Sequence, residues 1–344
     1  MIGSCIQNVR LSSDGGAVVI LDQTLLPNET RYVELREQGE LYDAVAALRV
    51  RGAPAIGIFA AYAMYVFARG LRSVDGAAFA AELAKFGAYL CSARPTAVNL
   101  SKQINRILNL VADLDGSPIP AILDAMRLEA EKIHSEDIEM CLAISEHGLT
   151  LVRDGCGILT HCNAGPLATS RYGTGLGAIL LAKERGIRLR VYCDETRPLL
   201  QGARLTAYEL MQAGVDCTLI CDNMASIVMK ERRVDAVFVG CDRVARNGDV
   251  ANKIGTSGLA ILAKHYGIPF YVFCPSSSID PDCESGASIQ IELRPPDEIT
   301  HMYFEKPIAP IGVKCYNPAF DVTDNALITA IITETGIHRA PYRF

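Results

Sequence analysis

Gly157-Ile158-Leu159-Thr160-His161-Cys162-Asn163-Ala164-Gly165 runs a short apolar stretch into a polar, glycine-flanked turn, the pattern of a buried strand that ends at the edge of a sheet. Val237-Phe238-Val239-Gly240-Cys241-Asp242 repeats the pattern eighty positions after Cys162, with an acid at its end. Further strand-like runs cover Leu189 to Cys193, Cys217 to Cys221 and Pro269 to Cys274. Helical stretches lie between them over Leu167 to Arg185, Leu199 to Ala213, Ala225 to Arg232 and Ile254 to His265. Strict alternation of strand and helix predicts an α/β fold with a Rossmann-like, doubly wound parallel sheet. Gly186, Gly214 and Gly267 stand just past helical stretches, where a left-handed residue closes the last turn.

The first part of the chain has a different texture. A strand-like piece at Ala17 to Leu21 precedes helical stretches at Leu41 to Val50, Ala55 to Ala68, Ala77 to Ala93 and Ala97 to Leu110. Gly116-Ser117-Pro118 with Pro120 is the strongest break. The chain therefore reads as a smaller, mostly helical N-terminal lobe over 1–120 and a C-terminal domain over 121–344, which opens with a bridging amphipathic run from Ala121 to Val152.

Composition excludes several classes of function. Half of the 344 residues are apolar, enough for a sizeable core, and a formal charge of −6 with dispersed basic residues offers no footprint for nucleic acid. No run of about eighteen apolar residues marks a membrane span, and Met1-Ile2-Gly3-Ser4-Cys5 lacks the charged start of a signal peptide. A soluble, cytoplasmic protein is expected. Its twelve cysteines then read as reduced thiols, mostly small buried hydrophobes. Five of them, Cys162, Cys193, Cys221, Cys241 and Cys274, fall at or near strand ends. Neither Cys-x-x-Cys nor His-x-x-x-His occurs, so no metal is expected. No strand leads into Gly-x-Gly-x-x-Gly and no P-loop is present, while Gly173-Thr174-Gly175-Leu176-Gly177 falls inside a helical stretch; no cofactor is expected either.

Four segments carry chemistry. Arg51-Gly52-Ala53-Pro54-Ala55-Ile56-Gly57 opens an apolar helix whose free amides, with Arg51, can cradle a phosphate; a well-capped helix with a surface arginine is the competing reading. Arg94, in Ser92-Ala93-Arg94-Pro95-Thr96, can add a bidentate contact to an oxyanion or simply face solvent. Asp194-Glu195-Thr196-Arg197-Pro198-Leu199-Leu200-Gln201-Gly202-Ala203-Arg204 is dense in charge for a connecting loop, which fits either a polar site or an ion-pair network. Asp242 to Thr256 offers an acid, an amide and an ammonium, and there Asn247-Gly248-Asp249 is a turn in its own right.

These segments, with Leu21-Asp22-Gln23-Thr24-Leu25-Leu26-Pro27 and Asn252-Lys253-Ile254-Gly255-Thr256, resemble in order the signature blocks of the methylthioribose-1-phosphate isomerase family, from residue 21 to a C-terminal helix. The resemblance implies a homodimeric isomerase of methionine salvage, related to the regulatory subunits of translation initiation factor 2B. Residue for residue, it implies Cys162 and Asp242 as the catalytic pair. Arg51, Gly52, Ala53, Arg94, Gln201, Asn252 and Lys253 would bind the sugar phosphate. Two departures stand out: Ile289-Gln290-Ile291-Glu292-Leu293-Arg294 carries few acids, and Cys241 replaces a small residue before the aspartate.

The chemistry makes matching demands. A furanose 1-phosphate has no free aldehyde, so an acid must protonate the ring oxygen before hydrogen moves from C2 to C1. The apolar run Val237 to Cys241 is expected to keep Asp242 protonated for that step. A thiol near arginine and lysine can ionise and serve the transfer, either through an enediol or beside a hydride shift. Isomerases of 5-deoxyribose 1-phosphate or ribose 1,5-bisphosphate need the same two groups. A non-catalytic regulatory subunit needs neither. Cys162 and Asp242 are expected to face one cleft.

Overall fold

The structure, a computed structural model, describes residues 6–72, 75–95 and 97–344. Cys5 with the residues before it, and Thr96 of the Arg94-Pro95-Thr96 motif, lie outside the described residues. The chain forms two units. One runs to Glu139 and includes Pro166–Arg171; the other comprises Met140–Gly165 and Tyr172–Phe344. The expected boundary at 120/121 differs from this division. Gly116-Ser117-Pro118 is only a turn between two helices, and Ile122, Met126, Ala130 and Ile133 beyond it are buried in the core of the first unit.

In the first unit Val9–Leu11 (β1), Val18–Leu21 (β2) and Tyr32–Leu35 (β3) form an antiparallel sheet. Among the described residues five helices follow: α1 (Gln38–Ala46), α2 (Ala53–Gly70), α3 (Gly76–Ser92), α4 (Val98–Asp113) and α5 (Ile119–Leu149), the last being the expected bridging run, whose residues from Met140 on belong to the second unit. Asp75 caps α3 by accepting from the amides of Ala77 and Ala78. By length and composition α2 could cross a bilayer, contrary to the reading of the sequence. Most of it is instead buried in the core of its unit, with Phe59 fully enclosed.

The second unit is built on β4 (Cys156–His161), β5 (Leu189–Asp194), β6 (Asp216–Ile220), β7 (Ala236–Val239), β8 (Arg243–Ala245), β9 (Val250–Lys253), β10 (Phe270–Phe273), β11 (Ile279–Asp280), β12 (Phe320–Thr323), β13 (Ala330–Thr333) and β14 (Gly336–His338). Its helices are α6 (Gly177–Glu184), α7 (Ala207–Gln212), α8 (Ala225–Lys230), α9 (Thr256–Tyr266) and α10 (Asp297–Thr300). The larger sheet has the order β14-β13-β10-β7-β4-β5-β6, parallel except for β14. Its six parallel strands thus follow the doubly wound order, and the order reverses between β4 and β7. A four-stranded sheet, β11-β8-β9-β12, follows from the end of β7.

Gly186, Gly214 and Gly267 are left-handed as expected. Two further expectations fail. Of Leu167 to Arg185 only Gly177–Glu184 is helical, and Gly173-Thr174-Gly175-Leu176-Gly177 is largely the loop before it. There the Ala164 carbonyl accepts from both Thr174 and Leu176, and a Cβ on Gly173 would lie 2.4 Å from Gly165 Cα. A chain pinned this tightly has no room for a helical turn. Nor does an α-helix end the chain: among the described residues the last is α10, and the β-branched run Ala330-Ile331-Ile332-Thr333 supplies a buried strand instead.

Candidate active site

Cys162 follows β4 directly, and Asp242 stands three residues past β7. These strands pair in parallel with His161 opposite Val239, so both residues emerge at the same carboxyl edge, on either side of the reversal in strand order. That crevice is where an open α/β sheet binds its ligand. Cys162 is half-buried and has a left-handed backbone, φ 62°. Its amide donates to Thr196 Oγ1 at 2.8 Å, and its carbonyl accepts from Thr206 Oγ1 at 2.6 Å.

Asp242 is exposed, not enclosed as expected. The chain leaves the large sheet at Val239 and crosses into the smaller one, where the Asp242 amide donates to the Ala251 carbonyl at 3.0 Å. This crossing places Asp242 beside Asn252 and past the apolar layer that was expected to hold its proton. Asn252 is buried and donates to Thr256 Oγ1 at 3.1 Å. Lys253 donates to the Ala319 carbonyl at 3.1 Å, with its ammonium 4.7 Å from the centre of the Phe320 ring. Gln201 is 7% exposed, and its Oε1 has no hydrogen-bond partner among the described residues. This buried acceptor lies beyond β5, next to the turn that holds Cys162, and can accept from a hydroxyl.

His161 was not singled out in the sequence, yet it joins these pieces. Its Nδ1 bonds Asp194 Oδ2 and its Nε2 bonds the Ile254 carbonyl, both at 2.9 Å. A Cβ on left-handed Gly255 would lie 2.9 Å from the ring. Burial pushes the His161 imidazolium down, but the Asp194 carboxylate and the Ile254 carbonyl hold it above its ordinary range. His161, Asp194 and Asp222 bring possible ligand atoms within 4.8 Å of one another. They serve as hydrogen-bonding groups: both ring nitrogens of His161 are engaged, and the Asp222 oxygens accept from the amides of Thr196 and Arg197 at 2.7 Å. As bonded, His161 has no ring nitrogen free for a metal.

In the other unit Gly52 caps α2 with φ 94°, and a Cβ there would lie 2.3 Å from the Ala168 carbonyl oxygen. Of the first amides of α2, Pro54 has none and Ala55 donates to Ala168 at 3.1 Å. Among the described residues the donors left at the helix start are those of Gly52 and Ala53, beside half-buried Arg51. Arg94, also half-buried, lies in the turn between α3 and α4. Gly57 lets the start of α4 approach α2, with the Asn99 carbonyl 3.2 Å from the Cβ position. The Arg51 and Arg94 turns are thereby brought to one end of that unit.

The sequence model of the initiation factor 2 subunit family matches residues 49–340. The chain belongs to that family. Within and around it, the methylthioribose-1-phosphate isomerase of Symbiobacterium thermophilum is 60% identical, over 98% of this chain and 94% of its own. The 5-deoxyribose 1-phosphate isomerase of Petrotoga mobilis is 54% identical, over 97% and 96%. The crystal structure of 5-methylthioribose 1-phosphate isomerase from Pyrococcus horikoshii superposes with a TM-score of 0.94 at 40% identity, over 99% of this chain and 94% of that one. Another family fold, described as translation initiation factor eIF-2B subunit delta from A. fulgidus, superposes at 0.91 with 42% identity, over 98% and 97%.

Sequence reading missed His161, Thr206 and Glu209. His161 had one signal, a polar ring closing an otherwise apolar strand. Thr206 and Glu209 had none, because they sit in an ordinary amphipathic run. Only the fold brings Asn163 Nδ2 to Glu209 Oε2 at 2.5 Å and to Thr206 Oγ1 at 3.1 Å.

Proposed function

We propose that the protein is an aldose-ketose isomerase that converts 5-methylthioribose 1-phosphate to 5-methylthioribulose 1-phosphate, with Cys162 and Asp242 as its catalytic groups. The observation that carries this reading is their emergence at the reversal in strand order, supported by relatives whose names are those of sugar-phosphate isomerases. Asp242 protonates the ring oxygen as the C1–O bond of the ring opens. Exposed before substrate binds, it acts as an acid once the sugar covers it and excludes water. Cys162 then serves the transfer of hydrogen from C2 to C1, which oxidises C2 to the ketone and reduces C1 with no net exchange of electrons, and the proton shed by the C2 hydroxyl replaces the one that Asp242 gave to the ring oxygen. Arg51, Arg94 and Lys253 balance the phosphate charge, the Gly52 and Ala53 amides donate to its oxygens, and Gln201 and Asn252 bond the sugar hydroxyls.

The names of the relatives favour one rival substrate, 5-deoxyribose 1-phosphate, which differs only at C5. Chelator-treated, folded protein would be assayed on both sugars and on ribose 1,5-bisphosphate. The methylthio sugar is expected to give the highest kcat/KM, with no divalent ion needed. A higher value for the deoxy sugar would reassign the substrate. No turnover on any of the three, with or without added ions, would leave the regulatory-subunit reading.

The family resemblance also supports a homodimer working in the cytoplasm, where the thiols stay reduced. Light scattering on the eluting peak is expected to return twice the chain mass at micromolar concentration. A monomer at that concentration would count against this assembly.

A further inference from the structure

We propose that Thr196 and Thr206 are positioning residues for Cys162: their buried hydroxyls hold the left-handed backbone from which the thiol projects, and so set the rate of the chemical step. The inference rests on the reading of Cys162 as the reacting thiol. A φ of 62° is uncommon for a residue with a side chain, and it persists where surrounding contacts over-determine it. Glycine would take this turn without strain. A cysteine bears strain here that glycine would not, and something must hold it.

Two hydroxyls do so, and their donors and acceptors balance. Thr196 Oγ1 accepts from the Cys162 amide at 2.8 Å, so its own proton goes to the Asp194 carbonyl at 3.1 Å. Thr206 Oγ1 accepts from Asn163 Nδ2 at 3.1 Å and gives its proton to the Cys162 carbonyl at 2.6 Å. Both threonines are fully buried, so water does not compete for these bonds. Each is anchored in turn. Thr196 is itself left-handed, φ 65°, and its amide donates to Asp222 at 2.7 Å. Thr206 closes the π-helical turn Gly202–Thr206, whose widened ring is marked by the Ala207 amide donating to the Gly202 carbonyl. Gly202 seats that turn on the end of β5, where a Cβ would lie 1.7 Å from the Asp194 carbonyl oxygen. Asn163, one residue past the thiol, is fixed by Glu209. Cys162 is thus clamped on its amide and its carbonyl by two elements that share the end of β5.

Displacing a reacting group by about 1 Å can cost on the order of 10²-fold in rate with no loss of substrate affinity. Thr196→Val and Thr206→Val keep the shape and remove the hydroxyl. Each is expected to lower kcat by about 10- to 100-fold while KM for 5-methylthioribose 1-phosphate stays within about twofold. The pH profile of Cys162 alkylation by iodoacetamide is expected to shift as well, which a purely structural role would not cause. Thr196→Ser and Thr206→Ser, which restore the hydroxyl, are expected to recover kcat to within about threefold of the parent. Cys162→Ser, measured alongside, separates the two readings. If it turns over normally, the reading of the thiol fails and takes this inference with it. If it is inactive while folded valine variants keep the parent kcat and alkylation profile, the positioning role alone is overturned. Where a valine variant does not fold, alanine at that position decides: an unchanged kcat and alkylation profile in the folded alanine variant overturns the proposal, and a fall in kcat at constant KM supports it.

Discussion

Cys162→Ser and Asp242→Asn are each expected to lower kcat by about 10³-fold or more, with KM for 5-methylthioribose 1-phosphate within about threefold of the parent. Both changes are nearly isosteric. Serine replaces the thiol with a hydroxyl that does not ionise near neutral pH, and asparagine keeps the shape of Asp242 without its proton. The charges assigned to the phosphate, on Arg51, Arg94 and Lys253, are untouched, so ground-state binding should survive. Neither change should unfold the protein, because Cys162 is held through its backbone and Asp242 is exposed. Steady-state kinetics with folding followed by circular dichroism would check this. Near-normal turnover in either variant sinks the assigned chemistry, whereas a large rise in KM at constant kcat would move that residue from reaction to binding.

The architecture was legible wherever local pattern and tertiary context agreed. Buried parallel strands such as Gly157 to His161 and Ala236 to Val239 need apolar residues on both faces, and that requirement is written in consecutive positions. The same runs fixed where Cys162 and Asp242 would emerge. The environment of Asp242 was not legible, because it depends on the crossing from β7 into the smaller sheet, set by pairing with Ala251. The loop 167–176 misled for a related reason. Its composition suits a helix, but close packing of Gly173 on Gly165 and the doubly accepting Ala164 carbonyl override propensity. Apolar α2 exceeded the expectation of no membrane-length segment because a core helix and a spanning helix satisfy the same composition test. Buried polar partners such as His161, Thr206 and Glu209 were hidden for the most general reason: a hydrogen bond across forty-four positions, from Thr206 to Cys162, leaves no trace in either neighbourhood.

Removal of the His161 imidazole is expected to be among the most destabilising single changes outside the apolar cores. His161 and Asp194 are each only 2% exposed. His161→Leu leaves a buried carboxylate facing no cation and frees the Ile254 carbonyl, a loss on the order of 3–5 kcal/mol. His161→Leu combined with Asp194→Leu, which removes both charges, is expected to recover much of that loss, and recovery would show that the stranded carboxylate is the cause. The pair also ties stability to pH. Burial lowers the imidazolium of His161, but Asp194 with the Ile254 carbonyl and Asp222 together raise it, while burial raises the carboxyl of Asp194 against the pull of His161. Both folded-state values are therefore raised, and each group contributes stability that is complete below its unfolded value and is lost as pH rises through the folded one. For His161 the loss begins near the ordinary histidine value, about 6.5, and continues upward. Urea unfolding between about pH 6 and 9 should show the free energy of the parent falling more steeply than that of the double variant His161→Leu with Asp194→Leu, in which neither side chain titrates. Equal slopes for the two proteins, or a parent that gains stability relative to the variant as pH rises, would mean that the proton shared by His161 and Asp194 is not what holds the end of β4 to the turn carrying Lys253.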